Sequence, residues 1–237
     1  MEEKLSGIVL GGVNVGENDK ILNVFTLEQG VVSAKIKGVK KAGAKLKFAS
    51  EPFCFAQFVF AKTGKNRTVI GASLLDSFYP IREDLSKFFC GGALLEYVRK
   101  FLKEGIVGEQ TFYLLVNTLK EMAYGEKAPE CLLAYFLINA LSLSGYALLL
   151  DGCFGCGCEL GNRIFFDYAF GGFFCESCRI ETSREINADT FFCLQKISRG
   201  ESLEKERCIR PLKLLDFYLS EKTDVKINSL KELLNIL

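Results

Sequence analysis

The sequence predicts an α+β chain in two parts, an N-terminal β-barrel followed by an all-helical domain with an inserted four-cysteine module. Three observations predict it. Five β-branched and aromatic runs crowd into residues 7–75, the hydrophobic period lengthens to 3.6 after Pro80, and two Cys-x-x-Cys pairs interrupt the helical part. With 237 residues and 49% apolar content the chain can bury a sizeable core without external staples. The expected division is residues 1–79 for the barrel and 80–237 for the helical domain, with the insert at about 150–180.

The strands come first. Gly7–Leu10, Ile21–Thr26, Val31–Gly38, Pro52–Ala61 and Thr68–Leu75 are separated by Gly, Asn and Lys turns. In the third run Val32, Ala34 and Ile36 alternate with Ser33, Lys35 and Lys37, so one face packs inward while lysines project from the other. Five short strands in this length suit a Greek-key barrel of the OB type.

The helices follow. Leu85, Phe88, Phe89, Leu94, Leu95, Val98, Phe101 and Leu102 recur at helical spacing and predict a buried helix between Glu83 and Lys103. Further helices are expected over Glu109–Tyr124, Pro129–Leu149 (with Pro129 in a first-turn position), Ala188–Arg199 and Pro211–Leu219. A short terminal helix over Ser229–Leu237 would take Ser229 as its N-cap. Leu150–Ile180, rich in Gly, Cys and Phe, has no helical period.

Cys153-Phe154-Gly155-Cys156 and Cys175-Glu176-Ser177-Cys178 stand eighteen residues apart, the spacing of a four-thiolate zinc ribbon. Gly155 and Gly157 would let backbone N–H groups turn toward the sulfurs. Four protein ligands leave no position for a catalytic water, so the expected Zn2+ is structural, with Phe165, Phe166, Phe170, Phe173 and Phe174 packed beside it. A site without metal, a redox dithiol and an iron–sulfur centre are the alternatives. Cys158 lies close enough to compete as a ligand. The isolated Cys54, Cys90, Cys131, Cys193 and Cys208 read as small buried hydrophobes.

Charge is sorted along the chain. The formal net charge is +1, yet residues 33–67 hold nine basic residues (Lys35, Lys37, Lys40, Lys41, Lys45, Lys47, Lys62, Lys65 and Arg67) against Glu51 alone. Six of them, Lys35 to Lys47, fall within thirteen residues around a strand end and a loop. Lysines leading from a barrel strand into its loop are placed as OB folds place phosphate contacts, and the expected ligand is single- or double-stranded DNA, bound with little sequence preference and strong salt dependence. A solvated loop kept soluble by lysine is the plainer alternative, and Phe48, Phe53 and Phe55 are either stacking platforms or core.

Several classes drop out. The chain has no histidine, which removes Ser-His-Asp triads, Cys-His dyads and histidine-ligated metals. Carboxylates such as Glu17 and Asp19 stand in no catalytic spacing and no Walker-type phosphate loop occurs, so a non-enzyme is expected. Met1-Glu2-Glu3-Lys4 lacks a signal-peptide apolar region, and the apolar stretch Ala134–Leu150 is broken by Asn139, Ser142, Ser144 and Gly145. A cytoplasmic protein without a membrane anchor is the expectation. The competing non-enzymatic reading is a zinc-containing RNA-binding or protein-interaction adaptor.

Three features in order resemble the RecO family of recombination mediators. They are Glu17-Asn18-Asp19-Lys20 leading to Phe25-Thr26-Leu27-Glu28-Gln29-Gly30, then Lys37-Gly38-Val39-Lys40-Lys41 running to Leu46 and Pro52-Phe53, then the cysteine knuckles with Gly171-Gly172 ahead of Cys175. Ala44 stands where the family often carries serine. The resemblance implies an OB-fold domain, a helical domain and a zinc element, with no catalytic site. It also implies a nucleoid-associated factor that anneals complementary strands and, with RecR, loads RecA onto strands coated by single-strand-binding protein, whose tail docks on the helical part in some members.

Overall fold

The computed structural model describes residues 2–64 and 66–236; Lys65, counted above among the basic residues, lies outside them. The chain divides into two units, Met1–Ala123 and Tyr124–Leu237.

In the first unit β1 (Glu2–Val15), β2 (Asp19–Thr26), β3 (Gly30–Ile36), β4 (Phe55–Thr63) and β5 (Asn66–Asp76) form a closed barrel in the order β1-β2-β3-β5-β4. All five expected runs are strands. Closure needs β1 to serve two partners: residues 2–8 pair with β4 and residues 7–15 with β2, and the strand bends at a register shift between Val9 and Gly11. The β3–β5 pair is parallel, joining Lys35 to Thr68 and Ile36 to Val69. The alternation predicted for the third run holds: Val32, Ala34 and Ile36 enter the core with Leu22, Val24, Phe58 and Phe60, while Lys35 is half-exposed and Lys37 exposed. Pro52-Phe53 belongs to the turn before β4 instead of to the strand, because Phe53 takes φ +69° and its N–H bonds the Val9 carbonyl at 3.1 Å.

The helical pattern after Pro80 splits into α1 (Pro80–Glu83) and α2 (Leu85–Phe101), because the Asp84 side chain caps the second helix by accepting the Lys87 N–H. The next helix, α3 (Glu109–Tyr124), has the predicted bounds. These helices open the C-terminal part of the sequence, yet α2 packs on β1 and β2, and Phe112 of α3 sets its ring edge-on to Phe25 at 5.3 Å. Gly30 makes room for the connection between α2 and α3: at φ +68°, a Cβ there would stand 2.0 Å from the Ile106 carbonyl oxygen. Gly30→Ala is therefore expected to cost at least ~3 kcal/mol of first-unit stability in chemical denaturation, through backbone strain and collision together.

The second unit begins with α4 (Pro129–Leu143), packed against α5 (Ala188–Ser198) and α6 (Lys205–Thr223). The sequence pattern carries α4 on to Leu149; it stops at Leu143 because Gly145 turns left-handed and the Tyr146 N–H returns to the Leu141 carbonyl at 2.8 Å. The expected start of α6 at Pro211 is also corrected. The helix begins at Lys205 and carries the proline inside, at the expense of one backbone bond, because Cys208, Leu212, Leu215 and Leu219 bury a common stripe. The terminal helix, α7 (Asn228–Ile236), starts one residue before the expected cap, so Ser229 lies in its first turn. Between α4 and α5 a three-stranded sheet in the order β7-β6-β8 forms from β6 (Ile164–Asp167), β7 (Gly172–Phe174) and β8 (Arg184–Ile186). Among the described residues no helix is long and apolar enough to cross a membrane.

Candidate nucleic-acid interface and metal centre

The basic segment leaves the barrel at the end of β3. It is an ordered loop wound in successive turns, with Lys41 N–H to Gly38 O, Ala44 N–H to Lys41 O, Lys47 N–H to Ala44 O and Ser50 N–H to Lys47 O, all between 3.1 and 3.2 Å. Apolar anchors pin it: Val39 is buried in the barrel core, and Leu46 and Phe48 pack against that core half-buried. The lysines between the anchors point outward. Lys37, Lys40, Lys41, Lys45 and Lys47 are exposed, and among the described residues none of them is in an ion pair. Lys35 differs, its ammonium 2.9 Å from an Asp19 carboxylate oxygen. A row of solvated ammonium groups, none of them in an ion pair among the described residues, attracts a polyanion.

Arg67, also counted in the basic segment, is committed elsewhere. Its Nε donates to Glu3 at 3.1 Å and its Nη2 to the Gln29 side-chain oxygen at 2.7 Å, while the Gln29 amide donates to the other Glu3 oxygen at 2.8 Å. This triad joins β1, the β2–β3 turn and β5. The hydrogen bond from Gln29 is the first cause that holds the Glu3 carboxyl below the usual carboxylate range, with Arg67 adding to it. Because folding lowers that pKa, the contribution is complete above the carboxyl's unfolded-chain pKa and disappears as pH falls through the depressed folded value. Glu3→Gln should therefore flatten the acid limb of a stability–pH curve and leave its slope near neutrality unchanged.

The aromatics near the loop are largely core. Phe53 is buried, meeting Phe88 edge-on at 6.1 Å, and Phe55 is half-buried against Phe112 at the same separation. Asp19 is the residue that the charge pattern missed. An acid nineteen residues before Gly38 adds nothing to the local charge count, and only the β2–β3 register, with Lys20 opposite Ile36 and Ile21 opposite Lys35, brings it to the place where the loop begins.

In the second unit the sulfurs of Cys153, Cys156, Cys175 and Cys178 lie within 4.8 Å of one another. Cys153 and Cys156 sit in a turn before β6, and Cys175 and Cys178 in the turn after β7. The donor set fits a tetrahedral four-thiolate ion, whose Zn–S bonds of about 2.3 Å would hold sulfurs roughly 3.8 Å apart; Cys156 and Cys175 are 3.9 Å apart. All ten cysteines are free thiols.

The backbone prepares for charge here. Burial opposes ionisation of Cys153, but N–H groups of Cys175, Cys156 and Gly155 bring its thiol down to about 6, with the Cys175 N–H 3.3 Å from the sulfur. Cys156 is lowered first by the Cys158 N–H. Its hydrogen bond with Cys156 pushes Cys178 up to about 12, because thiols this close cannot all ionise without a cation among them. Gly155 is needed for space, since a Cβ there would meet the Cys178 Cβ at 2.8 Å. The expectation for Gly157 is corrected: at φ +73° it aims its N–H at the Cys153 carbonyl, 2.8 Å away, and not at a sulfur. Cys158 stands outside the group of four; its thiol borders Cys156 and Cys175, and its carbonyl accepts the Cys153 N–H at 2.9 Å.

The module joins the helices through aromatics, with Phe173 against Phe191 of α5 at 4.8 Å and Phe166 against Tyr218 of α6 at 5.8 Å. Phe165, Phe166, Phe173 and Phe174 are buried as expected, whereas Phe170 is exposed. Gly171, at φ +64°, leaves no room for a side chain, since a Cβ would stand 2.5 Å from the Tyr218 hydroxyl. The five isolated cysteines are all buried.

Comparison with known proteins agrees with this architecture. Residues 1–78 match the family described as Recombination protein O N terminal, and residues 82–231 that described as Recombination protein O C terminal. A protein named DNA repair protein RecO from Acetivibrio thermocellus is 30% identical over 175 residues, covering 74% of this chain and 70% of that protein. The protein of the same name from Streptomyces griseus is 32% identical over 210 residues, 85% of this chain and 84% of the relative. That from Streptomyces coelicolor is 34% identical over 185 residues, 75% and 74% of the two chains. With both family regions matched in order and relatives aligned across most of their length, the chain belongs to the RecO family of DNA repair and recombination proteins.

Proposed function

We propose that the chain binds single-stranded and double-stranded DNA through Lys37, Lys40, Lys41, Lys45 and Lys47, with Lys35 at the loop's root, and that it acts by binding instead of by turnover. The observation that carries this reading is the row of five exposed lysines, in no ion pair among the described residues, on a loop pinned by Val39, Leu46 and Phe48. Contacts of this kind release counterions from the phosphate backbone and read no base edges. The cellular role that follows is cytoplasmic: annealing of complementary strands and, with RecR, loading of RecA on strands coated by single-strand-binding protein. Zn2+ held by Cys153, Cys156, Cys175 and Cys178 supports the second unit structurally, as the four-sulfur grouping favours. The helical residues 80–237, with the insert at about 150–180, form the platform for protein partners, including the single-strand-binding protein's tail.

The test is binding of a fluorescent single-stranded oligonucleotide across a salt series, then annealing of its complement with and without the single-strand-binding protein and RecR. Salt-dependent binding, faster annealing, and nuclease and ATPase activity at background are expected. Absence of binding at low salt refutes the reading; tighter binding of RNA than of DNA of the same sequence moves it to an RNA reader using the 2′-OH.

A further inference from the structure

One acidic side chain meets the root of the loop. Asp19, at the first position of β2, accepts the Gly38 backbone N–H on Oδ1 at 2.8 Å and meets the Lys35 ammonium on Oδ2 at 2.9 Å. Its neighbour Asn18 accepts the Lys40 N–H on its backbone carbonyl at 3.1 Å. Gly38 is left-handed, φ +66°, so the chain turns sharply there and buries Val39 one residue later. Three consecutive contacts, at Lys35, Gly38 and Lys40, thus determine how the chain leaves β3 and where the first exposed lysines stand.

We propose that Asp19 is the positioning residue of the DNA-binding loop, its carboxylate holding the root of the loop so that the lysines present a preformed row of cations. The proposal rests on the DNA-binding reading given above and assigns a role within it. Electrostatics alone makes the opposite prediction. A carboxylate about one Debye length or less from a bound phosphate repels it, so removing the charge would tighten binding. Positioning predicts weaker binding, because a loop that must be ordered on contact loses the advantage of pre-organisation. Asp19's carboxyl is held below the usual range, first by the Gly38 N–H and then by Lys35, so the clamp is formed at neutral pH.

Two readouts on Asp19→Ala and Asp19→Asn decide the matter. The first needs no DNA: Lys37, Lys40 and Lys41 are exposed, so trypsin is expected to cut after them when the loop opens, and the rate of cleavage there reports that opening. Asp19→Ala should speed cleavage and weaken single-stranded DNA binding, each roughly fivefold, about what one net hydrogen bond contributes. The melting midpoint should fall by no more than several degrees, as the loss of about one net hydrogen bond implies. Asp19→Asn keeps an acceptor for the Gly38 N–H and should recover most of both losses. Unchanged trypsin cleavage in Asp19→Ala, or binding equal to or tighter than that of the parent, overturns the proposal. If the parent protein binds no DNA while Asp19→Ala still opens the loop, the DNA-binding reading falls and the assignment of Asp19 to DNA positioning falls with it. Parent binding with an unresponsive Asp19→Ala refutes the positioning role alone.

Discussion

Reversing Lys37, Lys40 and Lys41 together to glutamate is expected to weaken single-stranded DNA binding roughly 100-fold or more at 0.1 M salt. Each phosphate contact on a single strand adds about 0.7 to the salt slope, so three lost contacts remove about two decades at that concentration, and the new acids add repulsion. The dependence of log affinity on log salt should flatten by about 2. The fold should survive, because all three side chains are solvated and make no ion pair among the described residues, whereas the apolar anchors Val39, Leu46 and Phe48 are untouched. A fluorescence-anisotropy titration at three or more salt concentrations, with a thermal melt alongside, measures both quantities. Parent-like affinity with an unchanged slope would remove this loop as the contact surface.

Changing Cys175 to Ser should release zinc and unfold the module around β6, β7 and β8. A structural four-thiolate zinc site contributes about 10 kcal/mol or more of apparent binding free energy at neutral pH, and removal of one ligand forfeits much of it. A loss of only ~3 kcal/mol already lowers the melting midpoint of a unit this size by about 10 °C or more. The damage should extend to α5 and α6, since Phe173 packs on Phe191 and Phe166 on Tyr218. Affinity for single-stranded DNA should stay within about twofold, because the loop belongs to the other unit, which has a hydrophobic core of its own. Metal analysis of protein purified under reducing conditions, calorimetry and the same anisotropy titration are the measurements. Metal-free parent protein, or a melt unaffected by Cys175→Ser, would make the four thiols a degenerate site.

Much of this architecture is written in local pattern. Strand alternation at Val32, Ala34 and Ile36, helical spacing across Glu109–Tyr124 and paired Cys-x-x-Cys spacing each arise from a few neighbouring residues, whose side chains repeat with the backbone's own period. The basic loop was legible for the same reason, being a run of lysines between apolar anchors. Boundaries were less so. Whether a helix ends at Leu143 or continues to Leu149 depends on the left-handed turn at Gly145, and whether one starts at Lys205 or Pro211 depends on a buried stripe strong enough to outweigh a missing hydrogen bond.

From its own residues, then, the chain's order of barrel, helices and cysteine module, its lysine loop and its four candidate ligands could be read, because periodicity, turn chemistry and ligand spacing act over short stretches. Contacts between distant segments could not. That Arg67 is tied to Glu3 and Gln29 while five lysines remain exposed, that Gly30 must admit the Ile106 carbonyl, and that Asp19 holds the loop at Gly38 all follow from strand register and closure of the barrel. Hydrogen bonds and steric limits at such places depend on which surfaces meet, and residues far apart in sequence meet only once the chain has folded.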